Sequence, residues 1–260
     1  MKRFVILTLF LVASATDLKA LIWQDPLPVQ QRTTTESRKP DDVNRMLERI
    51  KGRTTAERRE AIDALAESGD PRAVDAVIAA LKDQEGDVRA SAANALGQLG
   101  NRRAVEPLIS MLNDEVSFVR AAAARVLGQL GDAKALDPLT TSLRDGNSTV
   151  RGAAAMGLGS LKESRSVPAL ISALRDEAPD VRAAVATALG DIRDKRAVDP
   201  LVQALKDESR MVKLAAALAL ADIGEKRAVP ALTEAVANEK DEEAKSQMKE
   251  ALQRLVAAPD

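Results

Sequence analysis

Apolar side chains along this chain fall in paired helical stripes that recur every 31 residues. In residues 101–131, Val105, Leu108 and Leu112 stand three and four apart. After a short polar break, Val119, Ala123, Leu127 and Leu130 repeat that rhythm. Steps of three and four place side chains on one face of an α-helix, so each unit predicts two amphipathic helices. The break, residues 113–117, is so short that the helices must fold back as an antiparallel hairpin. Equivalent units start at Lys39, Asp70, Asn101, Asp132, Glu163, Asp194 and Glu225, the first weaker than the rest, making seven without a gap through residue 255. One hairpin has too little core to stand alone, and stacking on its neighbours supplies the remainder. The expected fold is an all-α solenoid.

Proline and glycine set limits within each unit. Pro107, Pro138 and Pro200 at position seven, and Pro168 and Pro230 at position six, are harmless only in a first helical turn, whose N–H groups have no intrahelical partner. The first helix is therefore predicted from about position four to thirteen. It ends at a row of aspartates at position fourteen, Asp83, Asp114, Asp145, Asp176 and Asp207. The second helix is predicted from about position eighteen, with Asp87, Thr149 and Asp180 as caps. Gly97, Gly128, Gly159 and Gly190 recur in its last turn, although a helical glycine costs about 1 kcal/mol relative to alanine. That recurrence predicts a close crossing of neighbouring backbones. Position twenty carries Arg or Lys, which pairs with the aspartate of its own or the next unit in an expected ladder. The end units read as polar caps. The first has Arg58, Arg59, Glu60, Asp63 and Glu67, and the last has a charged run over residues 240–249 with its register slipped by one.

The motif Asp194-Lys195-Arg196-Ala197-Val198-Asp199-Pro200-Leu201 is followed by Leu205-Lys206-Asp207 and Val212-Lys213. Other units answer with Val88-Arg89, Val119-Arg120, Val150-Arg151 and Val181-Arg182, and with Ala95-Leu96-Gly97 and Ala188-Leu189-Gly190. These residues resemble the HEAT-like repeats of phycobilisome lyase subunits and bacterial scaffold proteins, over residues 39–255. The resemblance implies a right-handed α-solenoid (an α-α superhelix of the armadillo and HEAT kind) whose second helices line the concave side. It implies a binding scaffold, or a non-catalytic accessory subunit of an enzyme complex.

Composition removes several functions. The chain has no His, Cys or Tyr, so the usual neutral-pH general base, thiol nucleophiles and imidazole metal ligands are all missing. The aspartate row does not make a cation site. Stacked helices lie about 8–10 Å apart, whereas one calcium ion draws its oxygens to within about 2.6 Å. No catalysis, cofactor or metal is expected. Lys plus Arg, 38, balances Asp plus Glu, 39, so no broad positive field exists to attract nucleic acid.

The first residues follow another rule. Lys2 and Arg3 precede a ten-residue, largely apolar run over residues 4–13, and Ala13, Ser14 and Ala15 end it with small side chains. This is the layout of a secretory signal peptide, expected to span residues 1–15, with an alternative end at 20. Residues 16–38, with Pro26, Pro28 and a polar run, read as a flexible linker, and residues 256–260 as a tail. No membrane span is expected after cleavage. A bacterial periplasm or secretion is the expected location.

The candidate site is the outward face of the second helices. Position twenty-five faces away from the core stripe and varies from unit to unit, reading Asn94, Arg125, Met156, Thr187 and Leu218 between Asp63 and Glu250. Gln98 and Gln129 flank it at position twenty-nine, and Leu214 joins Leu218 toward the end of the array. Positions twenty-one and twenty-two are mostly Ala, Gly or Ser. The expectation is a shallow groove, apolar in its middle and C-terminal half, that takes a protein or peptide partner. Arg125 is its expected polar anchor.

Overall fold

Two rows of leucine hold the hairpins together. Leu108, Leu139, Leu170, Leu201 and Leu232 come from first helices, and Leu65, Leu96, Leu127, Leu158, Leu189 and Leu220 from second helices. All are fully buried. Each such side chain contributes about 1.5–3 kcal/mol, so every unit brings the same pair of anchors to the core. Ala93, Ala124, Ala155, Ala186 and Ala217 lie among them at zero exposure, small enough for the even helices to approach closely.

The computed structural model describes residues 40–258. The expected leader and linker, and the end of the tail, lie outside the described residues. Among the described residues there are fourteen α-helices and no strand. They form seven hairpins: α1 (Pro40–Arg49) with α2 (Thr55–Ser68), α3 (Ala73–Ala80) with α4 (Gly86–Leu99), α5 (Val105–Met111) with α6 (Ser117–Leu130) and α7 (Leu136–Ser142) with α8 (Ser148–Leu161). Then follow α9 (Val167–Ala173) with α10 (Pro179–Ile192), α11 (Val198–Ala204) with α12 (Arg210–Ile223) and α13 (Val229–Asn238) with α14 (Glu242–Ala257). Each even helix packs on the even helices before and after it, while the middle odd helices meet their neighbours chiefly through the turn that opens each unit. Closer spacing on the even side bends the stack toward that side, which makes the even helices its inner row.

The helix limits differ from the sequence expectation in two places. The middle odd helices run only from position five to eleven, because positions two to four form a 3-10 turn, as in Arg102–Ala104 and Lys195–Ala197. The side chains of Asn101, Asp132 and Asp194 accept the N–H two residues on and hold that turn. The even helices of units two to six begin at position seventeen. Asp87, Thr149 and Asp180 are therefore not caps but lie inside the first turn. The aspartate at fourteen does the capping work by accepting the N–H of position sixteen, as Asp114 does from Val116 and Asp176 from Ala178, both at 2.9 Å.

The same aspartate receives the preceding unit's arginine. Arg89 binds Asp114 with Nε and Nη2 at 2.7 and 2.8 Å, and its Nη1 reaches the Asp83 carbonyl at 2.8 Å. Arg58–Asp83, Arg120–Asp145, Arg151–Asp176 and Arg182–Asp207 repeat that two-pronged arrangement. Lys213 and Glu239 close the series one residue out of step, matching the slipped register of the last unit. The carboxylate pairs thus run between units, while the same arginines also hold a carbonyl of their own unit, so each side chain ties one hairpin to the next.

Glycine at position twenty-eight marks the crossing of even helices. A Cβ on Gly128 would lie 2.4 Å from the Gly157 Cα, and one on Gly159 or Gly190 2.8 Å from the Cα of Ala188 or Ala219. Four units close with a left-handed glycine, Gly69, Gly100, Gly131 and Gly224. At the same position Lys162 and Arg193 hold φ of 55° and 59°, a conformation that costs a side-chain-bearing residue about 1 kcal/mol or more.

Candidate binding surface

The outward face of α4, α6, α8, α10 and α12 is built by the helical repeat itself. Positions nineteen, twenty-three and twenty-seven take Val119, Ala123 and Leu127 into the core of α6 at zero exposure, so position twenty-five points away from it. Asn94, Gln98 and Gln129 are exposed, and Arg125, Met156, Thr187 and Leu218 are half-buried. Successive units bring these residues into one row.

Polar members of that row are joined across units. Arg125 donates from Nη2 to Asn94 Oδ1 at 2.6 Å, Arg59 from Nε to Ser91 Oγ at 3.2 Å, and Arg254 from Nη2 to Asp222 at 2.5 Å. Asn94 thus orients the Arg125 guanidinium. Gln129 lies over the preceding helix, its Oε1 3.0 Å from where a Cβ on Gly97 would sit. At the first unit, burial raises the Asp63 carboxyl above its ordinary value, against the opposing pull of Arg59.

Leu214 departs from expectation. It is buried, at 7% exposure, and so does not line the groove. Position twenty-one stands seven residues, about two helical turns, before position twenty-eight, where the even helices cross. It shares the packing side rather than the open one. The apolar stretch of the face consists instead of Met156, Leu218 and the partly exposed alanines Ala121, Ala122 and Ala153. Phe118, at the start of α6, is 48% exposed, with its ring edge 3.3 Å from where a Cβ on Gly86 would sit.

A second concavity lies on the opposite, odd-helix side. It is a half-open groove of about 820 Å³ across the C-terminal ends of α5, α7 and α9. Arg144 and Arg175 line it, each directly before a ladder aspartate. In the sequence, Leu143-Arg144-Asp145 and Leu174-Arg175-Asp176 look like ordinary helix ends. The signal that marks them is a basic residue at position thirteen in five units, Lys51, Lys82, Arg144, Arg175 and Lys206.

Among the described residues no helix is long and apolar enough to cross a membrane, and no group of three or more acidic side chains could hold a metal ion. Stacked hairpins with a leucine core, an inter-unit Arg–Asp ladder and an inner row of even helices define a helical-repeat solenoid scaffold. The HEAT repeat profile matches residues 43–124, 105–180 and 167–253, so the chain belongs to the HEAT repeat family. It is similar to the complex of CpcE and CpcF of phycocyanin lyase from Nostoc sp. PCC7120, with 25% identity over 91% of this chain and 94% of that one and a TM-score of 0.56. The Escherichia coli protein YibA shares 21% identity over 93% of both chains, with a TM-score of 0.61. A designed armadillo repeat protein solved with the peptide (KR)4 shares 21% identity over 82% of this chain and 99% of that one, with a TM-score of 0.52. No curated protein matches the chain by sequence.

Proposed function

We propose that this chain is an exported, non-catalytic scaffold that holds a protein or peptide on the inner face of its even helices. The observation that carries the reading is the row at position twenty-five. Met156 and Leu218 are part-exposed there, between small alanines, while the equivalent position elsewhere holds Asn94 or Arg125. The core does not require such variation, because its buried positions nineteen, twenty-three and twenty-seven stay Val, Ala or Leu from unit to unit. A shallow, mostly apolar strip edged by Gln98, Gln129 and Arg125 suits an extended peptide or a helix laid along the row. The absence of His and Cys supports binding over catalysis, and the basic start followed by an apolar run over residues 4–13 supports export.

A second reading is an accessory subunit of an enzyme complex. It is favoured by the 25% identity to the phycocyanin lyase complex over nearly the whole chain.

A photo-crosslinking residue at Met156, followed by purification from the cell envelope, captures the partner under the first reading. Arg125→Glu combined with Leu218→Asp is expected to abolish that capture while helicity and melting stay unchanged. Retention of the same partner by the double variant overturns the face assignment. N-terminal sequencing of the purified protein tests export, with a start at Thr16 expected. Turnover by the purified chain alone overturns the non-catalytic reading.

A further inference from the structure

The odd-helix groove sets two exposed, unpaired arginines, Arg144 and Arg175, beside one concavity. Basic residues on the far edge of the stack, at position three, are mostly matched by acids. Arg103 meets Asp75 at 2.6 Å, Lys134 meets Glu106 at 2.8 Å and Arg227 meets Asp199 at 2.6 Å, each one unit away. Arg72 and Arg196 instead turn back on Asp70 and Asp194 of their own units. At position thirteen the opposite holds. Lys82, Arg144, Arg175 and Lys206 are exposed, and among the described residues none of their side chains has a partner.

The acids nearest the groove do not compensate them. Asp145 and Asp176 line it, but Arg120 and Arg151 grip both oxygens of each, and the N–H groups of Asn147 and Ala178 add a further bond. Glu177 leans on Arg151 at 3.3 Å. In the neighbouring unit Gly146 stands where Glu177 would be. Two positive charges therefore remain uncompensated beside a groove walled by Ile109 and Pro138 and edged by the hydroxyls of Thr141 and Ser172. A cation at a helix end is favoured by the helix dipole, which accounts for a lone lysine such as Lys82. It does not account for a groove with two free guanidinium groups on consecutive units.

We infer that this groove binds an extended acidic peptide segment, whose carboxylates engage Arg144 and Arg175 across adjacent units. Guanidinium groups take carboxylates in a two-pronged geometry. Adjacent units are spaced by about 8–10 Å, and an extended polyproline-type chain rises about 3.1 Å per residue, so every third residue of the peptide meets the next arginine. Thr141 and Ser172 spend their hydroxyl protons on the carbonyls of Asp137 and Pro168, which leaves both oxygens as acceptors for peptide N–H groups. The site lies on the opposite side from the even-helix face and is independent of it.

The test uses the full chain and a fluorescein-labelled peptide of repeated Asp-Pro-Ser, with an Asn-Pro-Ser peptide as control, read by fluorescence anisotropy at low ionic strength. The aspartate peptide is expected to bind at least tenfold more tightly than the asparagine peptide and to weaken as salt is added. Arg144→Glu with Arg175→Glu is expected to weaken it at least tenfold, with circular dichroism and melting unchanged because both side chains are exposed and neither makes a hydrogen bond or ion pair among the described residues. Met156→Asp with Leu218→Asp, on the other side, is expected to leave it unchanged. Equal binding of the two peptides, unchanged binding by the double arginine variant, or tighter binding of oligouridylate than of the aspartate peptide overturns the inference.

Discussion

Gly97 and Gly128 occupy the same position in consecutive units, yet they do different work. A Cβ at Gly97 would meet the side chains of Gln129 and Val126 at 3.0 and 3.1 Å, whereas one at Gly128 would meet the backbone of Gly157 at 2.4 Å. The outer contact, α4 on α6, is made by side chains that can move. The next one inward, α6 on α8, is made by main chain that cannot. In α12 the position holds Ala221, and α12 meets α14 less closely than the middle even helices meet one another. An identical motif thus makes a rigid middle and more adjustable ends, and the free surface of each helix is left to vary.

The sharpest way to break this comparison is to add one methyl group at each glycine. Gly128→Ala is expected to cost about 3 kcal/mol, at the upper end for overpacking, because two backbones must separate. Gly97→Ala is expected to change stability by no more than about 1 kcal/mol, since the gain in helix propensity offsets a small side-chain shift. Urea unfolding measures both, and equal costs would refute the distinction.

The ladder offers the next largest effect. Arg151→Ala strands Asp176 at a site where both side chains are about nine-tenths buried, and is expected to cost about 3 kcal/mol. Lys213→Ala, where the cation is more exposed and makes a single bond to Glu239, is expected to cost less in the same urea unfolding measurement. Acid probes the same contacts. The Arg120 guanidinium holds the Asp145 carboxyl below its ordinary value, and Arg182 does the same for Asp207. Asp83, Asp114 and Asp176 are also lowered, although burial works against it. Carboxylates lowered in the folded chain bind fewer protons than in the unfolded chain. Their contribution is therefore complete above the unfolded aspartate value of about 3.9 and is lost as pH falls through the lower folded values. Asp145→Asn, with nothing left to titrate there, is expected to flatten that acid limb in a pH series of thermal melts.

The smallest effect runs in the stabilising direction. Lys162→Gly and Arg193→Gly place glycine where Gly100 and Gly131 already stand, and relief of the left-handed strain is expected to raise stability by about 0.5–1 kcal/mol each. Differential scanning calorimetry reads this as a higher melting temperature. A fall instead would mean that the two cations are held there by contacts that outweigh the strain.

Much of this architecture was legible because one short pattern is repeated. The leucine rows, the close crossing at Gly128 and the pairing of Asp with Arg follow from spacing alone. The helix limits were less legible. Asp114 looks like the end of one helix, but its carboxylate also sets the start of the next through Val116 and receives Arg89 from the unit before. One side chain with three duties cannot be assigned from a linear pattern. Asn94, Gln98, Met156 and Leu218 are exposed or half-buried, as the helical spacing predicts, whereas Leu214 is buried. A helical wheel divides a helix into inside and outside, whereas in a stack it also has a side turned toward the next unit. Arg144 and Arg175 were missed for the related reason that the groove beside them exists only between helices of different units.

By itself, then, the amino-acid sequence determined the number of hairpins and their leucine core, because both depend on steps of three, four or 31 residues. Tertiary structure alone decided that the ladder runs from one unit to the next, that Leu214 is buried, and that two arginines remain unpaired beside a groove. Those outcomes depend on the distance and angle between neighbouring hairpins. That geometry is set where Gly128 meets Gly157, by contact between backbones rather than by any pattern along the chain.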